Sequence, residues 1–144
     1  VSVQAQIINL LERLQEELGL TYLLITHDLS VVSYMADEVA VMYLGRIVEH
    51  GTRDEIFDSP KHPYTRALLS AIPQVDPDTG IEKIRLSGDV PSPVKPPTGC
   101  YFHPRCPDRL SQCERVYPSV AAFSDTHACN CYLYEDDLEN KDSQ

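Results

Sequence analysis

The 144-residue chain carries 22 acidic against 12 basic side chains, a formal net charge of −10. That balance excludes nucleic-acid binding driven by phosphate contacts, which requires a basic stripe. No apolar run approaches the roughly 18 residues of a membrane span, and the start lacks a basic segment followed by an apolar one. The sequence opens on Val1 directly in a helical pattern, which predicts a piece of a larger domain.

Val3, Ile7, Leu10, Leu11, Leu14 and Leu18 step by three and four residues and predict an amphipathic helix over 1–18, stopped by Gly19. Tyr22 to Ile25 then reads as a short strand covered on both faces, ending in the polar tip Thr26-His27-Asp28. Helix, glycine stop and strand form the second half of a βαβ crossover, so the fold class is α/β. Ligands of open α/β sheets bind at the carboxyl ends of the strands, which makes His27 a candidate functional residue.

A short helix is expected over Leu29–Ala36, capped by Asp28 or Ser30. Val39–Tyr43 and Ile47–Val48 read as two strands joined around Leu44-Gly45. Thr52 or Asp54 caps a helix over Glu55–Asp58, and Pro63 opens another that runs to Ile72. Pro73, Pro77, Pro91, Pro93, Pro96, Pro97, Pro104 and Pro107 then exclude regular structure over most of 73–107, except for one short strand at Ile81–Leu86. The expected organisation is a first segment over 1–59, a helix and Pro-rich linker over 60–98, a cysteine-rich module over 99–134 and an acidic disordered tail over 135–144.

All five cysteines fall between Cys100 and Cys131. An odd number leaves a thiol over from any disulfide framework, and a reducing compartment favours metal ligation. Cys100, Cys106 and Cys113, followed by Cys129 or Cys131, supply four soft thiolates, which on chemical grounds suit tetrahedral zinc or an iron–sulfur cluster equally. His50, His62, His103 and His127 are expected to be surface or capping groups, and Arg105 and Arg109 to solvate the loop.

The strand ending in Thr26-His27-Asp28, the helix after it, and the run Asp37-Glu38-Val39-Ala40-Val41-Met42-Tyr43-Leu44-Gly45-Arg46-Ile47-Val48-Glu49-His50-Gly51 resemble the last third of an ABC-transporter nucleotide-binding domain. Two further stretches, His62-Pro63-Tyr64-Thr65-Arg66-Ala67-Leu68-Leu69 and Gly99-Cys100-Tyr101-Phe102-His103-Pro104-Arg105-Cys106-Pro107, resemble the C-terminal extension of oligopeptide and dipeptide importer ATPases. The resemblance implies that 1–59 is the C-terminal portion of the nucleotide-binding domain and that His27 is its switch histidine, contacting the γ-phosphate of ATP held with Mg2+. It also implies a [4Fe–4S] cluster on Cys100, Cys106, Cys113 and Cys131, with Cys129 as the spare thiol and Zn2+ as the alternative.

The implied partners are a second ATPase subunit, identical or paralogous, transmembrane permease subunits and, indirectly, a peptide-binding protein. The implied location is the cytoplasmic face of the cell membrane. No G-x-x-x-x-G-K-[ST] loop occurs, because none of the six glycines precedes a lysine. Walker B and the ABC signature motif are absent as well, so this segment alone is expected to be inactive. Two other readings fit the residues: a stand-alone metal-binding interaction module, and an ABC ATPase for another solute such as nickel.

Overall fold

A computed structural model describes residues 3–72 and 83–135. The chain divides into two compact units, with the boundary between Asp37 and Glu38. The expected acidic tail therefore lies outside the described residues apart from Glu135, as do residues 73–82 of the Pro-rich segment.

The first unit holds α1 (Val3–Leu18) and α2 (Leu29–Met35). Asp28 is the N-cap of α2; its Oδ1 accepts from Ser30 N at 2.9 Å and Val31 N at 3.4 Å. Two tyrosines tie the unit together, Tyr22 donating to the Leu11 carbonyl at 3.1 Å and Tyr34 to Glu12 Oε2 at 3.2 Å. The strand expected at Tyr22–Ile25 does not form: 20–26 belongs to no sheet, and Leu23 and Ile25 are 91% and 89% exposed. A buried parallel strand depends on flanking strands and on cover over both faces. Neither is supplied by the described residues of this unit.

The second unit contains an antiparallel sheet in the order β1-β2-β4-β3, built from Glu38–Tyr43, Arg46–Thr52, Val120–Ala122 and Ala128–Asn130, in chain order β1 to β4. Leu44 (φ 46°) and Gly45 (φ 80°) turn the first hairpin, and two successive positive φ values match the right-handed twist of the strands. The register slips between Val41 and Met42, since Val41 pairs with Glu49 and Met42 with Ile47. Val48 is therefore the extra residue of a β-bulge. Val48 and Glu49, adjacent in sequence, are both buried.

Two short helices follow the hairpin. Helix α3 (Arg53–Asp58) begins with a capping box in which Thr52 and Glu55 satisfy each other's orphan N–H groups. Helix α4 (Pro63–Ser70) carries proline in its first turn and the His62 side chain as its cap. The Pro-rich stretch has no strand over 83–86, and Ile81 lies outside the described residues.

The core joins hairpin, α4 and cysteine loops. Tyr43, Val48, Cys100, Phe102 and Cys113 are its buried members, with Tyr64, Leu86, Tyr101, Cys106 and Tyr132 packed around them. The Phe102 ring lies 5.3 Å from both Tyr43 and Tyr64, and those two rings are 4.8 Å apart. Edge and tilted contacts of this kind add to the gain from area burial. Arg46 lies over the rings of Tyr101 and Tyr117 at 5.0 and 4.4 Å.

The two cysteine loops meet where Cys100 N donates to the Cys113 carbonyl at 2.8 Å. Gly99 makes this possible: its φ is 64°, and a Cβ there would run into the Cys113 carbonyl oxygen. Gly99→Ala is therefore expected to lower stability by about 2–3 kcal/mol through left-handed strain and the backbone clash. Urea denaturation of the two proteins checks this, and an unchanged midpoint contradicts it.

Candidate functional site

The second unit is organised around a buried carboxylate. Glu49, 1% exposed, accepts from Lys61 N at 2.6 Å and His62 N at 2.9 Å, and His127 Nε2 lies 2.8 Å from its Oε1. A carboxylate accepts only, so His127 donates from Nε2. One side chain of β2 thus fixes the approach to α4 and, 78 positions along the chain, the start of β4.

His62 is equally buried, and its Nδ1 accepts from Tyr64 N at 3.1 Å. Burial pushes its imidazole down to about 4, opposed by the Glu49 charge and assisted by Arg66. The ring is therefore neutral, with Nδ1 free to cap the helix. Arg66 donates to Tyr134 Oη at 2.6 Å, and Tyr134 donates to the Lys61 carbonyl at 3.0 Å, a second tie between α4 and the end of the cysteine segment.

A third tie is Glu55. Its carboxylate receives Ser124 Oγ at 2.6 Å, Thr126 Oγ1 at 2.8 Å, Thr52 N at 2.8 Å and Thr52 Oγ1 at 3.0 Å. The Ser124 hydroxyl, followed by the Thr52 N–H, holds the acid down at about 2.

The cysteine segment is pinned to this frame because β4 pairs with β2, placing Cys129 opposite Glu49 and Ala128 opposite His50. All five cysteines are free thiols, four of them buried. Cys100 and Cys106 each feel the charges of other thiols, and Cys131 acts on Cys100, Cys106 and Cys113. The four predicted ligands are thus electrostatic neighbours. Burial pushes Cys100 up to about 11 and Cys106 up to about 12.

Backbone N–H groups oppose that shift: Phe102 and His103 at Cys100, Asp108 at Cys106 and Leu133 at Cys131. Cys131 goes the other way, lowered first by a hydrogen bond from Cys129. Among the described residues, no three His, Cys, Asp or Glu side chains close to the spacing of a single metal ion.

The other predicted residues fall in different surroundings. His27 is exposed just before the α2 cap, and Thr26 Oγ1 accepts from Asp28 N at 3.0 Å. His103 Nδ1 bonds the Cys100 carbonyl at 2.9 Å, while His50 is exposed. His62 is a cap as expected, but His127 is a buried hydrogen-bond partner of Glu49, outside the surface-or-cap expectation. Arg109 reaches Glu114 at 3.5 Å on the surface, and the Nε of half-buried Arg105 has no hydrogen-bond partner. Glu49 escaped the sequence reading because it stands in no motif that announces buried donors, whereas Glu55 was signalled by the capping-box spacing Thr52-x-x-Glu55.

Residues 48–113 match the family model described as "Oligopeptide/dipeptide transporter, C-terminal region". By sequence, the chain is similar to dipeptide transport and peptide import ATP-binding proteins. The dipeptide transport ATP-binding protein DppF of Escherichia coli (strain K12) is 56% identical over 123 residues, covering 85% of this chain and 37% of that protein. DppF of Haemophilus influenzae is 51% identical over 132 residues, 92% of this chain and 40% of the relative. A putative peptide import ATP-binding protein of Brucella ovis is 50% identical over 131 residues, 91% and 41% respectively. The chain thus spans about two fifths of the length of these curated relatives. Among the described residues no helix is long and apolar enough to cross a membrane.

Glu49→Ala leaves two buried backbone N–H groups and His127 without their acceptor, and is expected to cost about 3–5 kcal/mol. Chemical denaturation measures it; a loss below about 1 kcal/mol would show that water replaces the carboxylate.

Acid should weaken the second unit in two stages. The folded His62 lies below its ordinary 6.5, so native stability is complete above that pH and declines as pH falls towards about 4. The folded Glu55 lies below its ordinary 4.5, so its contribution is present above 4.5 and is lost as pH falls to about 2. His62→Asn, which retains a capping oxygen, is expected to flatten the upper stage, and Glu55→Gln the lower. Urea midpoints recorded from pH 8 to pH 2 test both assignments.

Proposed function

We propose that this chain is the C-terminal part of the ATP-hydrolysing subunit of an ABC importer of oligopeptides or dipeptides. The observation that carries the reading is 50–56% identity to peptide-import ATP-binding proteins over 85–92% of the chain. In the complete protein, ATP and Mg2+ would be held by segments outside this chain. His27, exposed beside the α2 cap, would then offer its imidazole to the γ-phosphate, a task of positioning and charge. A second ATPase subunit, permease subunits at the cytoplasmic face of the membrane and a peptide-binding protein complete the proposed assembly.

The same reading assigns Cys100, Cys106, Cys113 and Cys131 to a [4Fe–4S] cluster. Four soft thiols that sense one another, with backbone donors at each of them, support a thiolate-bound group there. Zinc, which four soft thiolates suit equally on chemical grounds, is the alternative. When bound, the cluster would cross-link the loops and could carry one electron. The residues around it exclude water and point N–H groups at the sulfurs.

The test uses the complete gene product, purified without oxygen. About four iron and four sulfide per chain are expected, whereas a single zinc would assign the thiols to a structural ion instead. In the importer reassembled with its permease, His27→Ala should reduce ATP hydrolysis by about 10²-fold. Undiminished hydrolysis would remove His27 from the reaction.

A further inference from the structure

His27 stands between two anchored neighbours. The Thr26 hydroxyl oxygen accepts from Asp28 N at 3.0 Å, and Asp28 is extended (φ −90°, ψ 100°) as the N-cap of α2. The two carboxylate oxygens of Asp28 serve different elements. Oδ1 accepts from Ser30 N at 2.9 Å and Val31 N at 3.4 Å, which fixes the side chain to the helix that follows. Oδ2 accepts from Gln4 Nε2 at 3.0 Å, which fixes the same side chain to the first turn of α1, 24 positions away. An ionised carboxylate has no proton to give, so the Gln4 amide is the donor. Tyr22 and Tyr34 also tie α1 to this segment, but further along the chain on either side of His27. The Gln4 bond arrives at the very next residue.

We infer that Gln4 and Asp28 are positioning residues for His27: the Gln4 amide holds the Asp28 carboxylate, and through it the adjoining histidine, against the start of α1. This rests on the γ-phosphate role of His27 proposed above. Among the described residues no strand pairing holds 20–26, so the cap and its link to α1 set the direction in which the imidazole leaves the chain. Capping α2 occupies one oxygen of Asp28, and Ser, Thr or Asn would serve that purpose as well. The second oxygen carries the tie to α1. Misplacing a group that must meet a phosphate by about 1 Å costs up to about 10²-fold in rate, so a bond remote from the nucleotide bears on hydrolysis without touching it.

The experiment uses the complete gene product reassembled with its permease, with hydrolysis counted per assembled transporter so that a poorly folding variant does not lower it. Gln4→Glu sets two carboxylates against each other and is expected to reduce kcat for ATP hydrolysis about 10-fold with KM for ATP within about twofold. Gln4→Ala, which removes the donor without repulsion, should lose about threefold. Adding Asp28→Asn to Gln4→Glu restores a bond of reversed polarity, with the cap oxygen retained, and should recover most of the rate. In a His27→Ala background, Gln4→Glu should cost nothing further. Wild-type kcat in both Gln4 variants, a double variant no better than Gln4→Glu alone, or the same loss with and without His27 would each overturn the inference. Undiminished hydrolysis by His27→Ala alone would instead overturn the reading of His27, a separate failure.

Discussion

A carboxylate taken out of water survives only where donors replace the solvent, and Glu49 finds three of them on two separate stretches of chain. The Lys61 and His62 N–H groups lie at the entrance to α4, where the helix end also favours negative charge. The third donor, His127, opens β4. Any arrangement that moved α4 or β4 by a few ångström would strand this charge, so the hairpin, the helix and the cysteine segment are held in one register. The apolar core permits many packings of similar volume, and the buried ion and its donors select among them.

The β-bulge at Val48 is what lets one strand serve two interiors. Strict alternation would bury one of two neighbouring residues and expose the other. With the extra residue, Val48 enters the aromatic and cysteine core while Glu49 enters the polar cluster. Phe102, two residues after Cys100, then fills the space between Tyr43, Tyr64 and His62, so the first thiol is positioned by the same ring that packs on α4. The cysteine loops have little regular structure of their own. They are ordered by docking on the hairpin, by the Gly99 approach to the Cys113 backbone and by short turns whose N–H groups face sulfur.

Local chemistry was legible in the sequence, and distant pairing was not. The Leu44-Gly45 hairpin, the Asp28 and Thr52 caps and the proline at the start of α4 each depend on residues within four positions, and each formed as read. Glu49 and His127 are 78 positions apart, and nothing in either neighbourhood states that a buried carboxylate awaits a histidine. The apolar run Tyr22–Ile25 shows the converse case. Its composition encodes a strand, but a parallel strand is a property of its neighbours, and within its unit it has none, so its leucine and isoleucine face solvent.

The cysteines combine both situations. Their number and softness were readable as a thiolate donor set, whereas the face on which Cys129 and Cys131 stand depends on the register of β4. Directly opposite residues of an antiparallel pair share a face, so pairing Cys129 with Glu49 puts thiol and carboxylate together. Because Cys131 continues the extended chain, it points the same way. A one-residue slip of β4 would turn both sulfurs to the opposite face of the sheet. The Glu49–His127 pair is the contact that prevents it, and it thereby fixes the direction of the fourth thiol as firmly as it fixes the helix.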